Sequence, residues 1–378
     1  MNQNLKIPEP LDLCERAPAN IRAIAAYQPG KPISELAREM GLDEARIVKL
    51  ASNENPLGAS DRVLASMREA IAGIGRYPDG NGFELKQAIS QRLSVSVDSI
   101  VLGNGSNDVL ELAARAFLTP GTSAVYAQHA FVVYPLATQA AGAGGIAVPA
   151  RNYGHDLDAM RAAIRDDTRI VFIANPNNPT GTWLEPESVL QFLHQVPADV
   201  LVVLDEAYNE YLPSSQTADS VGWLKKFPNL IVTRTFSKAY GLAGLRVGYG
   251  LAHPQLADLF NRVRQPFNVS SIAQVAAVAA LGDQEFVKKS FELNIAGMKQ
   301  LTEGFRKLGL DWIPSHANFV SFRIARAAQV YQQLLAQGVI VRPIAGYGLP
   351  EHLRVSIGLE SENARFLDAL QRIVAGHA

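Results

Sequence analysis

The chain has 378 residues, is 48% hydrophobic and carries a formal net charge of -1. That length can bury a large core and suggests two domains or one large domain with an appendage, while the charge balance argues against a nucleic-acid-binding stripe or an acidic tail. The one cysteine, Cys14, cannot form an internal disulfide, and no stretch reads as a secretory leader or a membrane span, so a soluble cytoplasmic protein is expected.

Residues 1–35 contain several prolines and read as irregular, an arm that packs on a small domain or on a partner subunit. Short apolar stretches rich in β-branched residues follow at 99–102, 124–126, 145–148, 169–174, 200–205, 230–235 and 246–250. Several are apolar without alternation, the pattern of strands buried on both faces. Between them, 107–118, 156–165 and 186–196 have apolar residues at three- and four-residue spacing, as helices do. Strand and helix alternating in this way predict an α/β fold with a mostly parallel sheet covered by helices. After about residue 265 the pattern changes to a long helix at 284–308, strands at 319–323, 339–341 and 353–357, and helices at 327–337 and from 361 onward. That predicts a smaller α+β domain. The expected division is 1–50 for the arm and part of the small domain, 51–265 for the large domain and 266–378 for the small C-terminal domain.

Ligands of open α/β sheets bind beyond the carboxyl ends of the strands, so the residues following each strand carry the chemistry. Gly103-Asn104-Gly105-Ser106-Asn107-Asp108 follows the first. A glycine turn opening a helix leaves backbone N–H groups free for an anion, although, taken alone, a plain glycine turn with Asn or Ser capping the helix accounts for it better. Asn175-Pro176-Asn177-Asn178-Pro179-Thr180-Gly181 holds two Asn-Pro pairs in seven residues, a loop suited to presenting an Asn amide. Asp205 ends a run of apolar residues, where a carboxylate is costly without donors or a cation, and Tyr208 follows three residues on. Lys238 is the one lysine in a stretch of small, apolar and glycine residues, with Arg246 eight residues later. A partly desolvated lysine near another cation becomes a usable amine nucleophile. An anion pocket, a carboxylate, hydroxyl and amide donors and an amine are the set that pyridoxal phosphate requires.

With these motifs the chain resembles the fold type I aminotransferases, which use pyridoxal 5′-phosphate, and within them the subgroup acting on histidinol phosphate. The subgroup is carried by Asn53-Glu54-Asn55-Pro56-Leu57-Gly58, Arg76-Tyr77-Pro78 and the segment around Tyr27. The resemblance implies a seven-stranded, mostly parallel sheet with a smaller domain, and a homodimer. It implies that Lys238 carries the Schiff base, that Asp205 pairs with the pyridinium nitrogen, and that Tyr208 and Asn178 bond the phenolic oxygen. Gly105, Ser106, Asn107, Thr235 and Arg246 would hold the phosphate, with Tyr77 reaching it from the neighbouring subunit. Phe131 falls where the family stacks an aromatic on the ring, within Gln128-His129-Ala130-Phe131 in place of the family's Pro-Thr-Tyr. Arg354 would bind the substrate's anionic group, with Arg342, Asn318, Asn53 and Tyr27 lining its pocket. The implied reaction interconverts L-histidinol phosphate and 2-oxoglutarate with imidazole-acetol phosphate and L-glutamate. An aromatic amino-acid aminotransferase would share every cofactor residue, and a threonine-phosphate-type decarboxylase would share the architecture. The seven histidines are scattered, without metal-ligand spacing, and His129 is expected on polar loop surface.

Overall fold

A computed structural model describes residues 10–26 and 28–376. Its strands are β1 (Val48–Lys49), β2 (Ile100–Gly103), β3 (Ser123–Ala127), β4 (Gly144–Val148), β5 (Thr168–Ala174), β6 (Leu201–Asp205), β7 (Leu230–Thr235) and β8 (Gly248–Ala252). In the C-terminal part follow β9 (Trp312–Ile313), β10 (Phe319–Arg323), β11 (Val339–Ile340), β12 (Arg342–Pro343) and β13 (His352–Ser356).

The large sheet has the order β2-β8-β7-β6-β5-β3-β4. β3 to β7 pair in parallel, and β8 alone runs against both its neighbours. β2, β3, β6, β7 and β8 are buried along their whole length, which explains their apolar stretches without alternation, such as Leu201 to Leu204 and Leu230 to Val232. β4 is the edge and is mostly exposed. Helices cover the sheet. Ser106–Phe117, for example, turns Val109, Leu110, Leu112, Ala113 and Ala114 inward. Each such aliphatic side chain taken out of water contributes about 1.5–3 kcal/mol, less for alanine.

The small domain is the antiparallel sheet β12-β13-β10-β9, covered by Ala327–Ala336, Glu360–Ala375 and the C-terminal half of Gln284–Lys307. Two expected boundaries shift. Helix Ser271–Leu281 packs on Asp61–Ala70 and Phe83–Leu93 and shares the core of the large sheet, so that domain extends past residue 265. The arm divides as well. Ala19–Arg22 lies on helix Val133–Ala140 of the large domain, where Asn20 Nδ2 donates to the Gln139 carbonyl at 2.9 Å. Ile33–Met40 instead buries Leu36 and Ala37 against Leu335 and Ile340, and β1 pairs in parallel with β11, so this part belongs to the small domain.

Helix Gln284–Lys307 spans both units. Near its start Ser290 receives a hydrogen bond from Asn55 Nδ2 at 2.8 Å, and Val287 packs beside Tyr208 and Ala239. Near its end Leu301 and Phe305 sit in the small-domain core. Among the described residues no helix is long and apolar enough to cross a membrane.

Candidate active site

A cleft opens between the two domains at the carboxyl edge of the parallel strands. The pairings Gly103↔Gly248 and Gly248↔Thr235 bring the ends of β2 and β7 to the start of β8. Gly105 adopts φ +78°, a conformation glycine takes at little cost, and opens helix Ser106–Phe117 toward the cleft. First-turn N–H groups have no partner within their own helix, so Ser106 and Asn107 present donors there, joined by Thr235, Ser237 and Arg246. Arg246 Nη1 donates to Ser237 Oγ at 3.0 Å. A Cβ on Gly105 would lie 2.5 Å from Arg246 Nη2, so the glycine is what lets the guanidinium close over the turn. A cationic fork beside a helix N-terminus is suited to a phosphate.

Asp205 stands at the end of β6, in register with Ala174 and Thr233. Its carboxylate is buried and accepts from Tyr134 Oη at 2.8 Å, Thr233 Oγ1 at 3.2 Å and the Ala207 N–H at 3.2 Å. Burial raises its pKa from the usual carboxylate value, and the Tyr134 and Thr233 hydroxyls and the Ala207 N–H oppose that rise. Lys238, half-buried, donates from Nζ to the Ser52 carbonyl at 3.2 Å and lies 5.8 Å from the centre of the Tyr208 ring. Burial first, and then the positive charges of Arg354 and Arg246, bring its ammonium down to about 8. Tyr208 is pushed up to about 12 by burial and accepts at Oη from Asn53 Nδ2 at 2.9 Å. From the small domain, Arg354 Nη1 donates to Asn178 Oδ1 at 2.5 Å and Nη2 to the Ala51 carbonyl at 3.0 Å. Arg342 Nη2 donates to the Gln28 carbonyl at 2.5 Å, tying the arm to the cleft's rim.

The family model described as aminotransferase class I and II matches residues 45–370. A histidinol-phosphate aminotransferase of Nitrosospira multiformis is 64% identical over 95% of this chain and 92% of its own length. One of Methylobacillus flagellatus is 64% identical over 96% and 98%. The crystal structure of histidinol-phosphate aminotransferase from Sinorhizobium meliloti in complex with pyridoxal-5′-phosphate superposes with a TM-score of 0.89 at 30% identity, covering 96% of this chain and 98% of that one. The chain belongs to the class I and II aminotransferases, in the histidinol-phosphate branch.

In this histidinol-phosphate aminotransferase family member the cleft gathers Ser106, Asn107, Phe131, Asn178, Asp205, Tyr208, Thr235, Lys238 and Arg246, with Asn53, Arg342 and Arg354. Gly105 lies beneath Arg246. One expected residue lies elsewhere. Asn318 is buried behind the cleft and donates from Nδ2 to the Asn53 carbonyl at 2.9 Å, so it reaches the site only through Asn53. Tyr77 is 84% exposed and stacks on Phe267, with ring centres 4.8 Å apart, away from its own chain's cleft. Tyr27 lies outside the described residues. Asn53 is 1% exposed and spends its amide on Tyr208 and Ser356, which makes it part of the cleft's frame.

Ser52, Ser237, Tyr347 and Gly30 line the cleft without having been expected there. Ser237 could have been noticed as the residue before the lysine. Tyr347 and the Asp205 partner Tyr134 carry no comparable sequence feature. His129, expected on the surface, is 8% exposed because the small domain covers it. Among the described residues no group of His, Cys, Asp or Glu is placed to hold a metal ion.

Proposed function

We propose that this chain is a transaminase in histidine biosynthesis, using pyridoxal 5′-phosphate to interconvert L-histidinol phosphate plus 2-oxoglutarate with imidazole-acetol phosphate plus L-glutamate. The observation that carries the reading is one cleft holding Lys238, its ammonium lowered to about 8, together with the Asp205 carboxylate and the Arg246 cradle. The substrate assignment rests on relatives of that name at 64% identity over nearly the whole chain.

Ser106, Asn107, Thr235, Ser237 and Arg246 would hold the cofactor's phosphate. Asp205 would accept from its ring nitrogen, Tyr208 and Asn178 would bond its phenolic oxygen, and Phe131 would cover its ring. When bound, the cofactor supplies the electron sink that makes a substrate Cα–H acidic. Lys238 Nζ takes the Cα proton as a base and returns it as an acid. Its neutral form is accessible near neutral pH because burial and two arginines disfavour the ammonium. Arg354 receives the substrate's anionic end, and a guanidinium forks to a carboxylate or a phosphate ester equally well. Arg342 adds a second cation at the same end, and Asn318 steadies Asn53 from behind. Tyr77, exposed on its own chain, would complete the phosphate site of a second copy, which makes the enzyme a homodimer. A cytoplasmic location fits a biosynthetic enzyme with a lone exposed thiol, Cys14.

Single-turnover absorbance on the cofactor-loaded enzyme tests the assignment. L-histidinol phosphate should convert the cofactor to its amine form rapidly and L-phenylalanine slowly. The reverse order would refute the substrate assignment. Lys238→Ala should abolish turnover while leaving the far-ultraviolet circular dichroism unchanged, and appreciable remaining transamination would remove Lys238 from its role.

A further inference from the structure

The small domain is tied to the large one beside the cleft in more than one place. Arg354 bonds Asn178, and Ser321 Oγ donates to the Pro179 carbonyl at 2.7 Å, so both reach the loop after β5. A separate tie reaches the loop after β3. His129 Nδ1 lies 2.6 Å from the carbonyl oxygen of Tyr347, which ends the short turn Ala345–Tyr347 of the small domain. A carbonyl only accepts, so Nδ1 carries the proton and donates. Both ends of this bond are fixed. The His129 carbonyl accepts from Asn177 Nδ2 at 2.9 Å, which anchors the loop. Gly348, at φ +77°, closes over the imidazole, and a Cβ there would stand 3.4 Å from Cε1. Two residues beyond His129, Phe131 lines the cleft from the large domain, and Tyr347 lines it from the small one beside Arg342 and Arg354.

We infer that His129 is a positioning residue, latching the Ala345–Gly348 turn so that the Tyr347 side chain forms part of the substrate-binding wall opposite Phe131. This rests on the transaminase reading above. His129 touches neither the cofactor cradle nor Lys238, so its contribution falls on substrate affinity and leaves the chemical step alone. Tyr347 is the specificity-determining contact it holds, a phenol beside the arginines that receive the anionic end.

The experiment uses the cofactor-loaded enzyme with L-histidinol phosphate and, separately, L-glutamate as amino donor. The parent's turnover of each tests the assigned reaction, and the ratio of variant to parent tests the latch, so the two can fail independently. His129→Phe removes the donor and should raise KM roughly 3- to 10-fold, the size of one hydrogen bond, with kcat and cofactor retention within about twofold of the parent. His129→Asn places an N–H near the Nδ1 position and should restore KM. His129→Gln, whose amide reaches toward the Nε2 position, should not, and it replaces the phenylalanine variant if that one fails to fold. In a Tyr347→Ala background, His129→Phe should change KM by less than about twofold. An unchanged KM in His129→Phe, no rescue by asparagine, a loss of kcat and cofactor in place of KM, or an undiminished effect in the Tyr347→Ala background would each overturn the inference.

Discussion

Lys238 differs from the chain's other lysines through its surroundings. The sequence already showed it among small and apolar residues, and the desolvation that matters could be anticipated there. Arg354, which also disfavours its ammonium, lies far along the chain and arrives only through the small domain. The effect on reactivity has a definite sign. A lysine whose pKa is lowered to about 8 is an ammonium below that pH and a neutral nucleophile above it. Borohydride trapping of pyridoxal phosphate on the apoenzyme should therefore increase as pH rises from about 6 to about 9, with its midpoint near 8. Arg354→Leu should move that midpoint upward, since a neighbouring positive charge is lost. A parent midpoint near that of free lysine would contradict the environment described. Asp205 was equally legible as a strand-end carboxylate, but its hydroxyl donor Tyr134 was not. A tyrosine within an apolar helix reads as core, and Tyr134 does stack on Phe172 with ring centres 4.7 Å apart while its Oη serves Asp205.

The seven strands of the large sheet stand close to where short stretches rich in β-branched residues placed them, the fully buried inner strands most plainly, while β4 at the edge is mostly exposed. Helix Ser271–Leu281 was harder to see. Its run of alanines is buried over most of its circumference and so lacks a polar stripe. The Asn-Pro loop was expected to present an amide, and the division of labour within it needed the structure. Asn177 turns inward to the His129 carbonyl and Thr180, while Asn178 faces the cleft. The junction of β8 with the phosphate cradle is the tightest requirement at this scale. A Cβ on Gly248 would lie 2.4 Å from the Ser106 nitrogen and 2.9 Å from the Arg234 carbonyl, both of them backbone atoms. Gly248→Ala should consequently push the helix N-terminus away from β8. It should weaken cofactor affinity at least 10-fold and cost about 1–3 kcal/mol of stability, read by cofactor titration and thermal melts. Native affinity in that variant would show that the cradle tolerates displacement.

For the molecule as a whole, length suggested two domains or one large domain with an appendage, and the boundary depends on which core each helix joins: helix Ser271–Leu281, beyond the change in strand pattern near residue 265, shares the core of the large sheet. The role proposed for Tyr77 lies beyond its own chain. It forms, with Phe267, an exposed aromatic pair. A homodimer should sediment at twice 40.9 kDa. Tyr77→Phe should leave that mass unchanged and loosen the cofactor roughly 3- to 10-fold, as expected for one hydrogen bond to an anion. A monomer at working concentrations, or unaltered retention in the variant, would count against the shared site.

The 24-residue helix Gln284–Lys307 joins the two domains beside the cleft. At 1.5 Å per residue it is a rod about 36 Å long, pinned to the large domain by Ser290 and embedded in the small domain through Leu301 and Phe305. Bending it midway would break consecutive backbone hydrogen bonds, whereas turning the small domain as a rigid body about its pinned end would break none within the rod. A rigid turn of this kind would have its fulcrum near Asn55, three residues from the carbonyl that holds Lys238. A small rotation at that fulcrum would become a larger swing of the domain that carries Arg354.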